Sequence, residues 1–543
     1  MFMLKERMTM KKCLTLLLSV LTALGLFSGC GNPSAPSINP DQVVISISSE
    51  PESLDPCKGW GHGTTPLVQS TLLEFNRDMS FSGDLATDYH LSEDGLTWTF
   101  HLRQDAVFTD GAPLTANDVA FTYMTAKGSQ SSLDLTFLQK AEAPDSHTVV
   151  FTLREPASSF LNTVAMVGIV PEHAYSEDYG SSPIGSGPYR FVQWNRQEQL
   201  ILEANQDYYG AKPSIQKIVL IFQDEDAAFA SVKAGQVDVA LTAATLADTE
   251  IPGYHLEALD TVDCRGITLP LSPNEGKVTE NNSPIGNNVT CNLEIRQAMA
   301  YALNRETLAQ HALNGFGTPC YSVNDGFPWS NPECAIGTDL EFAKSILSEK
   351  GWADTDGDGI LEKDGLKAAF SCIYPSGDSV RQALSMAAAQ QLQEIGIQMT
   401  VEGTSWDEIT KRMFSDAVCL GWGSVNPYES YCLYHSSNAL RNDYYNPEGY
   451  SDPVTDRYLE QAMHALTPEE ANEFWKKAQW DGTSGTSMEG VCPCIWLVNI
   501  DHLYYVRDGL NIGNQLIHPH GSSMPLIQDL KSWHWEGTEE LSK

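Results

Sequence analysis

Few residue groups in this 543-residue chain are spaced to do chemistry. Asp354-Thr355-Asp356-Gly357-Asp358-Gly359 begins like an EF-hand calcium loop, with acids at positions one, three and five and glycine at six. Position twelve falls on Gly365, so the bidentate carboxylate is missing and the stretch reads as an acidic surface turn. Cys492-Pro493-Cys494 is a CxC on an expected strand, where both thiols would point the same way; buried structural thiols fit it at least as well as a metal does. Cys320 and Cys334, with Gly and Pro around them, are the cysteines best placed by proximity for a disulfide. No GxSxG elbow, HExxH, Walker loop or GxGxxG stands in a suitable context, so the chain reads as no enzyme and as needing no cofactor. The remaining candidates are aromatic and polar. Trp60 and His62 alternate with Gly59, Gly61 and Gly63, which let backbone approach a ligand closely. A second group spans Gly421 to Tyr434 (GWGSVNPYESYCLY) and contains Trp422, Asn426 and Tyr428. His435 and the pair in His518-Pro519-His520 read as surface imidazoles.

The elements that must position these residues alternate between strands and helices. Val43 to Ser48 is β-branched and partly alternating, the pattern of a core strand. Asp94-Gly95 joins two arms of a hairpin, the second alternating through Trp98 and Phe100. Thr115 caps a helix with Asp118 at the capping-box position. Further on, strand Ile218–Phe222, helix Asp226–Ala234 and strand Val237–Leu241 follow in order; Asn292 caps a helix, and helix Ser379–Glu394 leads through Gly396 into strand Ile397–Val401. No fixed repeat appears, which points to mixed α/β lobes rather than a solenoid or propeller. The chain is long enough for two or three domains.

With 33 Lys+Arg against 70 Asp+Glu the net charge is -37, a field that repels phosphate backbones, so nucleic acid is excluded as a partner. Lys5, Arg7, Lys11 and Lys12 precede an apolar run from Cys13 to Phe27, too short to span a bilayer comfortably, and residues 1–29 read as a signal peptide. Phe27-Ser28-Gly29-Cys30 resembles the bacterial lipobox, which would place diacylglycerol on Cys30; residues 30–40 then form the lipidated cysteine and its tether.

Asp84 to Tyr123, Ile184 to Gly210, Ala234-Gly235-Gln236-Val237-Asp238, Arg296 to Arg305 (RQAMAYALNR), Gly351 to Gly359, Ile395-Gly396-Ile397 and Gly449 to Asp456 carry a resemblance in order and spacing. The chain resembles the bacterial extracellular solute-binding proteins of family 5, which include oligopeptide, dipeptide and nickel receptors of ABC importers. The resemblance implies an α/β, two-lobed periplasmic-binding-protein-like fold (type II, cluster C-like) with an extra inserted domain and a hinge. Lobe I is expected at 41–66, 184–268 and 497–543, the inserted domain at 67–183 and lobe II at 269–496. It further implies a lipid-anchored, extracytoplasmic monomer that captures a peptide or similar solute between its lobes and delivers it to a permease and its ATPase. The implied ligand-binding residues are Trp60, Gly61, His62, Trp422, Asn426 and Tyr428. Peptide-binding relatives carry an Asp shortly after this Trp to pair with the peptide ammonium; here Ser424-Val425-Asn426 stands instead. A nickel or other metal chelate, with His62 as ligand, is the alternative cargo. A secreted hydrolase, or a sensor without transport, is more remote.

Overall fold

The computed structural model describes residues 39–48, 50–59, 66–129, 135–441, 444–521 and 524–537. Cys30, the signal peptide, and the Trp60, Gly61 and His62 loop lie outside the described residues. From Pro40 onward the chain is one compact unit organised by two large sheets.

The first sheet has seven strands, ordered Tyr254–Leu259, His502–Arg507, Val239–Thr242, Gln42–Ile47, Lys217–Phe222, Gln199–Ala204 and Tyr189–Asn195. Its centre is Gln42–Ile47, where Val43, Ile45 and Ile47 are fully buried and both neighbours run parallel to it. The second sheet has six strands, ordered Gly317–Pro319, Cys494–Ile500, Cys264–Thr268, Ala417–Trp422, Ala369–Pro375 and Gln398–Thr404. Two connections carry the chain between the sheets: residues 260–263, and Asp501 alone. A four-stranded antiparallel sheet, Ala86–Leu91, Thr97–Leu102, Thr148–Leu153 and Leu138–Asp145, packs its own aromatic core of Phe100, Phe151 and Phe160 with Tyr123 of helix Ala116–Gly128.

The local signals read from the sequence form as expected at several points. Leu91 pairs with Trp98 across the Asp94-Gly95 turn. The Thr115 N–H donates to Asp118 Oδ2 at 2.9 Å, closing the helix start. Arg296, 4% exposed, donates to the Val491 and Thr290 carbonyls and is a structural cation. Other expectations are corrected. Cys320 and Cys334 are free buried thiols, and Cys320 is turned toward the Ser322 carbonyl at 3.1 Å. The CxC does not lie on one strand, because Cys492 takes a positive φ of 52° and the strand begins at Cys494. His518 is fully buried rather than superficial.

The acidic loop has its own internal cation. Asp354, Asp356, Asp358 and Glu362 bring ligand atoms within 4.8 Å of one another. The two-residue turn at Asp364 and Gly365 folds Lys367 back among them, its ammonium donating to Asp356 Oδ2 at 3.0 Å and to Asp358, and lying 3.5 Å from Glu362. Both Asp354 oxygens accept backbone N–H groups, from Gly357 and Gly359.

Two expected outcomes follow from this packing. Millimolar calcium leaves the melting temperature unchanged, since the lysine holds the centre of the loop; a rise of several degrees that disappears in Asp356→Ala would contradict the assignment. At Gly185, a Cβ would stand 1.8 Å from the Val68 carbonyl oxygen, a collision with backbone rather than with a movable side chain. Gly185→Ala therefore costs about 3 kcal/mol of stability in urea unfolding.

Candidate functional site

The ends of several strands converge on one cavity of about 810 Å³ between the two sheets. From the first sheet come Ser46, at the end of its central strand, Thr242, at the end of its parallel neighbour, and Gln223, just past Phe222. The second sheet contributes Pro375 to Arg381, the turn from a strand into helix Ser379–Gln393, together with Leu420, Gly421 and Trp422. Asp263, Arg265, Asp501, His502 and His520 form the part nearest the two connections. Carboxyl ends of strands gather loops and helix starts in one place, which is where open α/β sheets bind ligands.

Orphaned polar atoms mark this cavity. Ser46 Oγ, Gln223 Oε1 and Thr242 Oγ1 on one side, and the Nε atoms of Arg265 and Arg381 on the other, are buried without a hydrogen-bond partner. Both arginine side chains are at least nine-tenths buried. Asp378 caps the helix by accepting the Arg381 N–H at 2.8 Å and also pairs with the Arg381 guanidinium, so the head group is fixed while its Nε has no partner. The ring of Trp406 lies 5.9 Å from that guanidinium, and Tyr444 meets the same ring edge-on at 5.5 Å. Burial, reinforced by the charges of Asp226 and Asp378, raises the Glu225 carboxyl. Asp501 is pushed up to about 6 by burial and by the charge of Asp260.

Asp263 anchors the wall at the connections. Burial alone would raise it, but the charges of Arg265 and His520 and hydrogen bonds from His502 and His520 outweigh that and hold its carboxyl well below the usual range. Gly423 sits against it from the GWG segment with φ of 146°, and a Cβ there would stand 2.0 Å from the Val262 carbonyl oxygen. Only glycine gives this conformation and approach without strain.

Of the residues expected from the sequence, Trp422 lines the cavity, packed edge-on against Trp496 at 5.8 Å. Asn426 and Tyr428 stand outside the lining. Asn426 is 8% exposed and its Oδ1 accepts the Tyr428 N–H at 3.0 Å, so its side chain shapes the turn; Tyr428 stacks on Tyr431. The neighbouring Val425 carbonyl accepts from Asn162 at 3.0 Å. Arg265, Arg381, Ser46, Thr242 and His520 were not singled out by sequence reasoning as ligand contacts. The HPH pair gave a weak signal for His520, and an isolated arginine on an apolar strand gave one for Arg265. Among the described residues, the one group of three or more potential metal ligands is the lysine-filled acidic loop.

The family model for bacterial extracellular solute-binding proteins, family 5 Middle, matches residues 80–444. Protein XP55 of Streptomyces lividans is 31% identical over 487 residues, covering 86% of this chain and 85% of that protein. The oligopeptide-binding protein AppA of Bacillus subtilis is 27% identical over 496 residues, 84% of this chain and 88% of AppA. Among solved structures, NikZ from Campylobacter jejuni in complex with Ni(L-His) superposes with a TM-score of 0.76 at 22% identity, covering 92% of this chain and all of that one. AppA from Bacillus subtilis with a nonapeptide gives 0.68 at 22% identity, covering 91% and 98%. At that identity these structures speak for the fold, and the family match with XP55 speaks for descent: the chain belongs to the bacterial extracellular solute-binding proteins of family 5.

Proposed function

We propose that this protein is the lipid-anchored substrate-binding component of an ABC importer, taking a peptide or similar small solute with an acidic group into the cavity between its two sheets. The observation that carries this reading is that five residues lining that cavity, drawn from both sheets, each hold a buried polar atom without a partner. Each buried donor or acceptor left unmade costs about 1–3 kcal/mol, a cost that cargo offering hydrogen bonds removes on binding. Arg265 and Arg381 supply cationic donors for a carboxylate, while Ser46, Thr242 and Gln223 suit the amides and hydroxyls of the rest of the cargo. Contacts made from both sheets at once favour a closed arrangement, which a permease can distinguish from the empty receptor. The lobes at 41–66, 184–268 and 497–543 and at 269–496, with 67–183 inserted, are the bodies that would move, with the crossings at 260–263 and 501 as pivots.

A second cargo is favoured by one feature. Ser424-Val425-Asn426 offers no carboxylate for a free ammonium, and the Asn426 Oδ1 accepts the Tyr428 N–H. A nickel or other metal chelate carrying carboxylates meets the same arginines without needing that contact, and His62 is the residue proposed to reach its metal.

Native mass spectrometry of protein purified without refolding is the direct test: retained peptide, or retained nickel with its chelator, identifies the cargo class. Protein that retains nothing, and binds neither peptides nor chelates in calorimetry, would contradict the receptor reading. Arg381→Gln is expected to weaken the retained cargo by about 2 kcal/mol, the scale of a lost charge-assisted hydrogen bond. Cys30→Ser is expected to release the protein from the membrane fraction, because that thiol is the acyl acceptor the lipobox offers; an unchanged membrane fraction would point to residues 1–29 as an uncleaved anchor.

A further inference from the structure

Among the described residues four carboxylates line the cavity: Glu225, Asp263, Asp378 and Asp501. The protein itself compensates three of them. Asp263 gathers Arg265, His502 and His520. Asp378 holds the N–H and the guanidinium of Arg381. Glu225 stands exposed at the first turn of helix Glu225–Lys233, where the helix start favours a negative charge. Asp501 has no such compensation. Its side chain is half-buried and, among the described residues, makes no hydrogen bond and no ion pair. Burial and the charge of Asp260 push its carboxyl up to about 6, and His502, whose ring is set between Asp263 and His518, offsets only part of that. A carboxylate drawn partly out of water and left without a cation is costly to keep ionised, and a cation brought to it is favoured by the same margin.

The register of the second sheet locates this charge. Cys264 stands opposite Trp422 on one side and opposite Asn499 on the other. Strands Ala417–Trp422 and Cys494–Ile500 therefore run in one direction on either side of Cys264–Thr268, and they end at the same edge, two strand spacings or about 10 Å apart. Just past one end is Ser424-Val425-Asn426, which has no carboxylate; just past the other is Asp501. The backbone that carries Asp501 is fixed on both sides. Ile500 N–H donates to the Asp263 carbonyl at 3.0 Å, and Asp501 N–H donates to the Phe316 carbonyl at 3.4 Å. On the far side of Ala417–Trp422 lies Ala369–Pro375, which leads into the helix of Arg381. One edge of the sheet thus offers an uncompensated negative charge at one end and an arginine at the other.

We propose that Asp501 anchors a cationic group of the cargo, an ammonium or a guanidinium, so that the receptor selects solutes carrying a positive charge as well as an acidic one; this rests on the cavity being the cargo site. An ammonium placed there donates to a carboxylate oxygen in a charge-assisted hydrogen bond, the strong kind. The carboxylate that the segment after Trp422 lacks is then supplied from two strands away, and a peptide with a free amino terminus is accommodated without it. No partner within the described residues has to release Asp501 for this contact to form, so the pairing adds to cargo binding without taking an interaction from the fold.

The test uses the full chain and a pool of short synthetic peptides without Lys, Arg or His, so that the amino terminus is their cation, set against the same pool with that terminus acetylated. Native mass spectrometry reads the bound fraction. The wild-type protein is expected to retain the free pool about tenfold or more over the acetylated one, and Asp501→Asn to bring that ratio near unity. Asp501→Asn is also expected to keep or raise the melting temperature, because it relieves repulsion from Asp260 and breaks no contact of the described residues; a fall of several degrees would show a structural partner and overturn the inference. Asp501→Ser repeats the comparison with a shorter side chain. A ratio near unity in the wild-type protein overturns the inference and leaves the receptor reading standing. A preference that persists in both variants places the cation elsewhere and overturns it too. Retention of neither pool overturns it together with the peptide cargo.

Discussion

The arrangement depends on a carboxylate that is 2% exposed, Asp263, placed where the chain leaves one sheet for the other. Burying a charge there is costly, and the cost is met by drawing Arg265, His502 and His520 onto the same two oxygens. Those partners arrive from the second sheet, the first sheet and the C-terminal segment respectively. Three parts of the chain that are distant in sequence are therefore fixed to one point. Held in this way at its guanidinium, Arg265 also lines the cavity. The same ion cluster that joins these segments thus also forms part of the cavity wall.

The cavity itself follows from strand direction. Gln42–Ile47 runs parallel to both of its neighbours, so Ser46, Thr242 and Gln223 emerge at the same edge of the first sheet. In the second sheet Ala369–Pro375 runs parallel to Ala417–Trp422, which brings the start of helix Ser379–Gln393 and the Trp422 turn to the facing edge. Glycine at 421 and 423 keeps this edge close to the connections, since a Cβ at Gly421 would stand 2.5 Å from the Arg265 guanidinium. Side-chain chemistry in the cavity is thereby set by a handful of strand ends, and the apolar strand bodies behind them do the packing.

Local structure was legible in the sequence wherever it is encoded by neighbours along the chain. The Asp94-Gly95 turn, the Thr115 cap and the helix before Gly396 rest on contacts a few residues apart, and the opening strand shows in its run of β-branched residues. The family could be read from ordered motifs, and its fold came with it. The site was less legible because its residues are joined only by the fold. Ser46 looks like the polar position of an ordinary strand, and Arg265 like a lone cation; nothing local announces that both face one cavity. His518 and His520 share a motif but have different environments, one sealed against His502 and one at the cavity. Asn426, a polar residue next to a candidate Trp, accepts a backbone N–H of its own turn through Oδ1, a contact its type alone does not announce.

The lysine inside the acidic loop has a consequence for where such a receptor can work. A tethered ammonium is present at an effective concentration set by a two-residue turn, and dilution of the surroundings cannot remove it. A loop built around a dissociable ion would change shape with the hardness of the medium and would compete for divalent ions with anything carrying them. With Lys367 as resident counter-ion, this loop carries its charge compensation within the chain and does not have to draw it from the medium.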